Sequence, residues 1–271
     1  MKQTFRNLSF PNNLKSYVPT EVELEFPTNS SLPKDDQHFL ISIPWKDKYA
    51  SFIPKKYQWF FKLILPYLRA RTTDVHIAFC CQYIDQLIST LSADEDTKVN
   101  AKVVTLAFLL HDIGWSQLTE SEIAASLGVS GLALNKTALG PKEKHAIEGT
   151  RIASKILQEH KAKLDLSESE IDLILKAIRY HDQPEQVASQ GNQIPIEVKA
   201  LVDLDHQWSF AKEAFWQDVY RKGIMDPQTY LDNLEKDLNS YFVTEAGRNM
   251  ARLHLADRAQ EVADFNSQFL K

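Results

Sequence analysis

The strongest constraint on the fold is the way polar residues punctuate apolar helical runs. The run Val103-Val104-Thr105-Leu106-Ala107-Phe108-Leu109-Leu110 delivers His111 and Asp112 side by side, then reaches Gly114 and Trp115. Val104, Ala107 and Phe108 precede His111 by seven, four and three positions, so its imidazole continues the apolar stripe of that helix. Asp112 sits about 100° further round. Gly114 stands where a helix C-cap is expected. Taken alone, such a doublet reads more simply as a polar helix end meeting water than as a pair of metal ligands.

The same geometry recurs. Ile174, Ala177 and Ile178 precede His181 by the same intervals, as Val198, Leu201 and Val202 precede Asp205. Asp203 lies about 200° from Asp205 around the helix and is predicted to face outward. His76 stands near the start of its helix, with Phe79 and Cys80 on its face. His145 has Gly149 four positions on, a spacing that lets another backbone or a ligand come close. One such residue is ordinary, whereas four or five on successive helices call for a shared centre. A buried carboxylate needs a cation or a full set of donors, because leaving it unpaired costs several kcal/mol. Imidazole and carboxylate together suit Mn, Fe, Co, Ni or Zn, and Mg less well.

Around these residues the chain reads as mostly α. Helices are expected over residues 55–68 (with Pro66 a kink or an end), 74–91, 99–111, 120–127, 142–161, 167–181, 196–215, 227–239 and 244–269. Thr119–Glu122 and Ser167–Glu170 have capping-box form. Residues 128–141 read as a loop that either closes over a substrate or simply connects. It carries Lys136 and leads to Lys142. Seven of the eleven prolines fall within the first 66 residues. Glu21–Phe26 alternates apolar with charged residues like a half-buried strand, and Phe39–Ile43 is a second strand candidate. A hairpin joined across residues 27–38, or an extended arm, would follow. The expected division is an N-terminal arm or hairpin (1–55), a helical core (56–220) and C-terminal helices packed on it (221–271).

A net charge of −5 speaks against a nucleic-acid polymer as partner, which would need a basic surface. Cys80 and Cys81 are neighbours and poorly placed to bond each other, which fits a reducing compartment. No apolar run approaches the roughly 18 residues of a membrane span, and the first residues lack the apolar core of a signal peptide. These features predict a cytoplasmic protein without membrane contact and leave a homodimer open.

The ordered set His76, His111-Asp112, His145, His181 and Asp205 resembles the HD-domain superfamily of metal-dependent phosphohydrolases over about residues 70–215. The resemblance implies an HD-domain-like helical bundle in which His76, His111, Asp112 and Asp205 hold one metal ion. His145 and His181 would bind a second ion or contact the substrate phosphate. It implies hydrolysis of a phosphoester by metal-activated water, with Asp112, His145 and His181 catalytic. Lys144, Arg151 and Arg179 are the cations placed to bind substrate, with Arg71 a further candidate and Glu148 a group to orient a ligand. The substrate would be a small phosphorylated molecule, a nucleotide or another phosphoester.

Trp115 stands where the cyclic-dinucleotide phosphodiesterase branch has lysine, and that branch's Gly-Tyr-Pro signature is absent. The Glu-Asp pair of the alarmone hydrolases is absent too. Two other readings fit the same ligand set: an HD-fold di-iron oxygenase, and a non-catalytic HD domain that binds a ligand or partner. Trp208, Phe210, Phe215 and Trp216 read as core before base-stacking groups, and Arg248 with Arg252 as surface.

Overall fold

The structure, a computed structural model, describes residues 2–9, 15–94, 98–128, 140–221 and 226–269. Two strands, β1 (Phe5–Ser9) and β2 (Lys15–Pro19), are followed by helices throughout: α1 (Asp47–Ala50), α2 (Gln58–Leu68), α3 (Asp74–Cys80), α4 (Ile84–Asp94), α5 (Ala101–Leu110) and α6 (Glu120–Ser126). Then come α7 (Pro141–Leu164), α8 (Glu168–Tyr180), α9 (Pro184–Ser189), α10 (Ile196–His206), α11 (Lys212–Arg221), α12 (Pro227–Tyr241) and α13 (Glu245–Phe269). Among the described residues the fold is all-helical apart from one antiparallel hairpin, and no helix is long and apolar enough to cross a membrane.

Helix α5 lies at the centre. Val103–Leu110 are all buried, and α4, α8 and α10 pack around it. Burying each large side chain of this run stabilises the fold by roughly 1.5–3 kcal/mol. Local chemistry sets the helix starts. Asn100 caps α5 by accepting from the Lys102 and Val103 amides at 3.1 and 3.2 Å. Both capping boxes form, at Thr119 and at Ser167. Pro141 and Pro227 occupy first-turn positions, where the missing N–H costs nothing. A second apolar cluster joins α11, α12 and α13, with Phe210, Trp216, Tyr230, Phe242 and Phe265 among its members, and Val18 and Val22 pack onto it.

Several expectations need correction. The hairpin pairs Phe5 with Pro19 and Leu8 with Ser16, upstream of the segments that alternate. Glu25 and Ser42 form one isolated bridge, and Lys34–Leu40 winds into a short 3₁₀ turn. The alternation is real, since Val22 is buried and Leu24 and Phe26 pack with Ile41 against Tyr220. A helical wall meets it in place of a partner strand, and the prolines at 27, 33 and 44 limit ladder pairing. The helix expected over 74–91 breaks at Cys81–Tyr83, and that over 196–215 at Gln207–Phe210. The second break sends Phe210 into one core and leaves Trp208 beside His76. Pro66 lies inside α2 without ending it. Lys136 and most of the 128–141 loop lie outside the described residues.

Candidate metal centre

Five helices, α3, α5, α7, α8 and α10, bring the polar residues together. His111 follows α5 with helical backbone angles, so its ring continues the buried face. Its Nδ1 donates to the Phe108 carbonyl at 2.7 Å. His181 repeats this at the end of α8, with Nδ1 donating to the Ile178 carbonyl at 2.7 Å. A carbonyl only accepts, so each Nδ1 carries a hydrogen and each Nε2 is turned to the centre.

There the groups close a ring. His111 Nε2 lies 3.1 Å from Asp205 Oδ1 and 3.5 Å from Asp112 Oδ2. His76 completes it, with Nδ1 3.5 Å from Asp112 Oδ2 and Nε2 3.4 Å from Asp205 Oδ1. The other oxygen of Asp112 faces the second pair: Oδ1 is 3.7 Å from His145 Nε2 and 3.9 Å from His181 Nε2. Those two imidazole nitrogens are 3.0 Å apart. Asp112 is thus shared by two histidine pairs, and the Trp115 indole N–H, donating at 2.9 Å, steadies its Oδ1.

Glycines set the spacing. Gly114 sits in a tight turn with no left-handed backbone, so its expected role as a C-cap is wrong. A methyl there would overlap the His145 carbonyl, whereas one on Gly149 would meet the His111 carbonyl at 3.3 Å, a tight contact. Of the two alternatives for Gly149, backbone approach is the one seen. It carries His145 to Asp112 and lays the Trp115 ring flat on the His145 ring, with centroids 4.0 Å apart.

The charges follow from burial. His111 is raised to about 9: burial opposes its charge, but Asp112 and Asp205 outweigh it. Asp112 and Asp205 are held well below the usual carboxylate range, because His111 and His76 outweigh their desolvation. His145 is lowered to about 3 by burial and then by the charge of His181. His181 is lowered by burial and by His111. Near neutrality two carboxylates of the ring therefore face a protonated His111.

A cation fits this set. His76 Nε2 and His145 Nδ1 are buried without a hydrogen-bond partner. His76, His111 and Asp112 can offer ligand atoms within 4.8 Å of one another, as can Asp112, His145 and His181. His111, His181 and Asp205 form a third such group. Nitrogen and carboxylate donors of this kind match a divalent transition metal. The centre opens into a cavity of about 280 Å³ whose walls include His76, Asp112, His181, Asp205 and Trp208. His76 and Trp208 stack with centroids 5.3 Å apart.

Other expected residues go elsewhere. Asp203 is completely buried, contrary to its predicted outward face. It accepts hydrogen bonds from the Val243 amide at 2.7 Å, the Thr244 amide at 3.2 Å and the Thr244 hydroxyl, tying α10 to the start of α13. Lys144 pairs with Glu122 at 2.6 Å, Arg151 with Glu148 at 2.8 Å and Arg179 with Glu143 at 3.4 Å. None of these three cations lines the cavity, and Glu148 is spent on Arg151. Arg248 and Arg252 pair with Glu245. Phe210, Phe215 and Trp216 are core.

Asp182 was missed by sequence reasoning. Its Oδ2 lies 3.9 Å from His145 Nε2, it lines the cavity, and with Asp205 and His206 it makes a further group able to hold an ion. The signal was present: His181-Asp182 repeats the doublet at the end of another apolar helix.

The family model of the HD domain matches residues 86–206. No curated protein and no solved structure matches the chain significantly. His111, Asp112, His145, His181 and Asp205 fall inside the matched segment, and His76 joins them from the preceding helix. Residues 86–206 carry an HD domain, which is consistent with the HD-domain superfamily, one of metal-dependent hydrolase type.

Proposed function

We propose that the protein is a metal-dependent phosphohydrolase acting on a small phosphorylated molecule, a nucleotide or another phosphoester. The observation that carries this reading is the buried ring of His76, His111, Asp112 and Asp205, flanked by His145 and His181 and open to a cavity. Held by His76, His111, Asp112 and Asp205, a divalent transition ion would supply Lewis acidity toward a phosphoryl oxygen and activation of water near neutral pH.

The chain's own groups do the rest. Asp112, ionised and fixed by Trp115, accepts a hydrogen bond from the attacking water and orients it. His145 and His181 are neutral at pH 7 and meet the phosphoryl oxygens, or hold a second ion. Asp182 stays below the usual carboxylate range in spite of burial and accepts a hydrogen bond from Lys142 at 3.1 Å at the cavity wall.

The test is turnover of p-nitrophenyl phosphate, its bis ester and a nucleotide panel with Mn, Fe, Co, Ni, Zn or Mg added. Turnover with at least one metal, lost in His111→Ala, is expected. Metal binding without any turnover would sink the reading in favour of a binding domain. The reach of Asp112 to both histidine pairs supports a second reading, a di-iron oxygenase. Two irons per chain with oxygen consumption would select it.

A further inference from the structure

Beside the metal centre lies a pair of guanidiniums that it does not use. Arg71 sits in the short connector between α2 and α3, with its guanidinium 4.0 Å from the centroid of the Trp115 ring. His145 stacks on that ring at the same distance. Two groups this close cannot share one face, so the indole is sandwiched between imidazole and guanidinium. Arg71 therefore stands one ring's thickness from the catalytic side. Its neighbour Thr72 has φ 58°, a strained backbone for a β-branched residue, so the surrounding structure holds this connector in place.

Among the described residues no carboxylate pairs with Arg71. Arg221, at the end of α11, is nearby. It donates to Asp218 at 3.3 Å and to the Ile41 carbonyl at 3.0 Å, while its Nε is buried without a partner. Burial and the charge of Arg71 both lower its pKa. Arg221 is thus close enough to feel the charge of Arg71, both line the same cavity, and an arriving anion would take up donors that they leave unused.

The two arginines also form the shared wall, with Thr72 and Leu127, between the metal-site cavity and a second one of about 310 Å³. Phe39, Leu40, Ile41, Leu118 and Ile123 make much of the second cavity apolar. Its acid Glu120 is engaged by the Ser31 amide at 2.8 Å.

We propose that Arg71 and Arg221 form an anion subsite for a second charged group of the substrate, a phosphate or a carboxylate, whose uncharged part extends toward the apolar cavity. The substrate class is then a phosphoester with two separated anionic groups. Only the word substrate rests on the phosphohydrolase reading. The subsite itself rests on the arginines.

The test is calorimetric binding of three probes with uncleavable C–P bonds to the metal-loaded protein: butylphosphonate, butane-1,4-bisphosphonate and 5-phosphonopentanoate. At least one two-anion probe is expected to bind roughly tenfold or more tightly than butylphosphonate, in line with a bidentate charged contact. The better of the two tells phosphate from carboxylate. In Arg71→Met the ratio should collapse toward one. In Arg71→Lys, which keeps the charge but loses the fork, it should fall part of the way, and this variant guards against misfolding in the first. Equal binding of all three probes by the wild type, or an undiminished ratio in folded Arg71→Met, overturns the subsite. Retained preference without turnover of any phosphoester would leave the subsite standing and overturn the hydrolase reading.

Discussion

Asp203 and Asp205 are two positions apart and do different work. Asp205 faces His76 and His111, whereas Asp203 holds the turn before α13, and Gly247 has no side chain because Asp203 fills that space. Burial pushes the Asp203 carboxyl up to about 7 despite its three donors. Asp203→Ala would orphan the Val243 amide, the Thr244 amide and the Thr244 hydroxyl, so a loss of about 3 kcal/mol is expected in denaturant melts. Asp205→Ala should instead abolish metal binding in a folded protein. The reverse pattern would invert the assignment.

His111 offers a pH test. Its pKa of about 9 exceeds the ordinary 6.5, so the metal-free fold gains from its pairing below pH 6.5 and loses that gain as pH rises through 9. Metal binding needs the bare nitrogen and so must expel the proton. Binding at pH 7 should therefore release about one proton per ion, read from the dependence of calorimetric heat on the buffer. Apparent affinity should rise about tenfold per pH unit toward pH 9. Proton-independent binding at pH 7 would exclude protonated His111 as a ligand.

At the scale of elements, the doublet works because α7 can approach it. Gly114 against the His145 carbonyl and Gly149 against the His111 carbonyl make a contact between two backbones. In Gly114→Ala the methyl meets backbone, which cannot swing away like a flexible side chain. The expected cost is about 3 kcal/mol, at the upper end for overpacking, with metal affinity falling as His145 is displaced. A variant as stable as wild type would show that this contact is loose. Spacing along the sequence fixes the angle between two side chains on a helix, but not what lies outside each face. It succeeded for His111, His181 and Asp205, each at an end where the stripe runs into the centre. It failed for Asp203 because α10 is buried on almost every side, Glu197 included, so there was no outward face to occupy.

At the scale of the molecule, one apolar helix organises the rest. Helix α5 is sheathed by neighbours, and the ends of the surrounding helices meet where it stops. This leaves two carboxylates and several imidazoles packed without enough donors. A cation binding only the folded state should stabilise it, by about 2.7 kcal/mol at a hundred times its Kd. Chelation should lower the melting temperature by roughly 5 °C or more, and chelation should leave the melting of His111→Ala unchanged. Equal melting with and without chelator would argue against a centre of this kind.

What the sequence determined by itself was the periodic part: helices, both capping boxes, and the residues that ride a buried stripe to its end. Those follow from backbone geometry and side-chain spacing, which are local. Tertiary structure alone decided which backbones touch, through Gly114 and Gly149, and which charges were already spent. Lys144, Arg151 and Arg179 looked free in sequence but are paired with glutamates, while Arg71 and Arg221, 150 positions apart, come to line the same two cavities. Charge pairing acts through space over a few ångströms, so spacing along the chain carries no record of it.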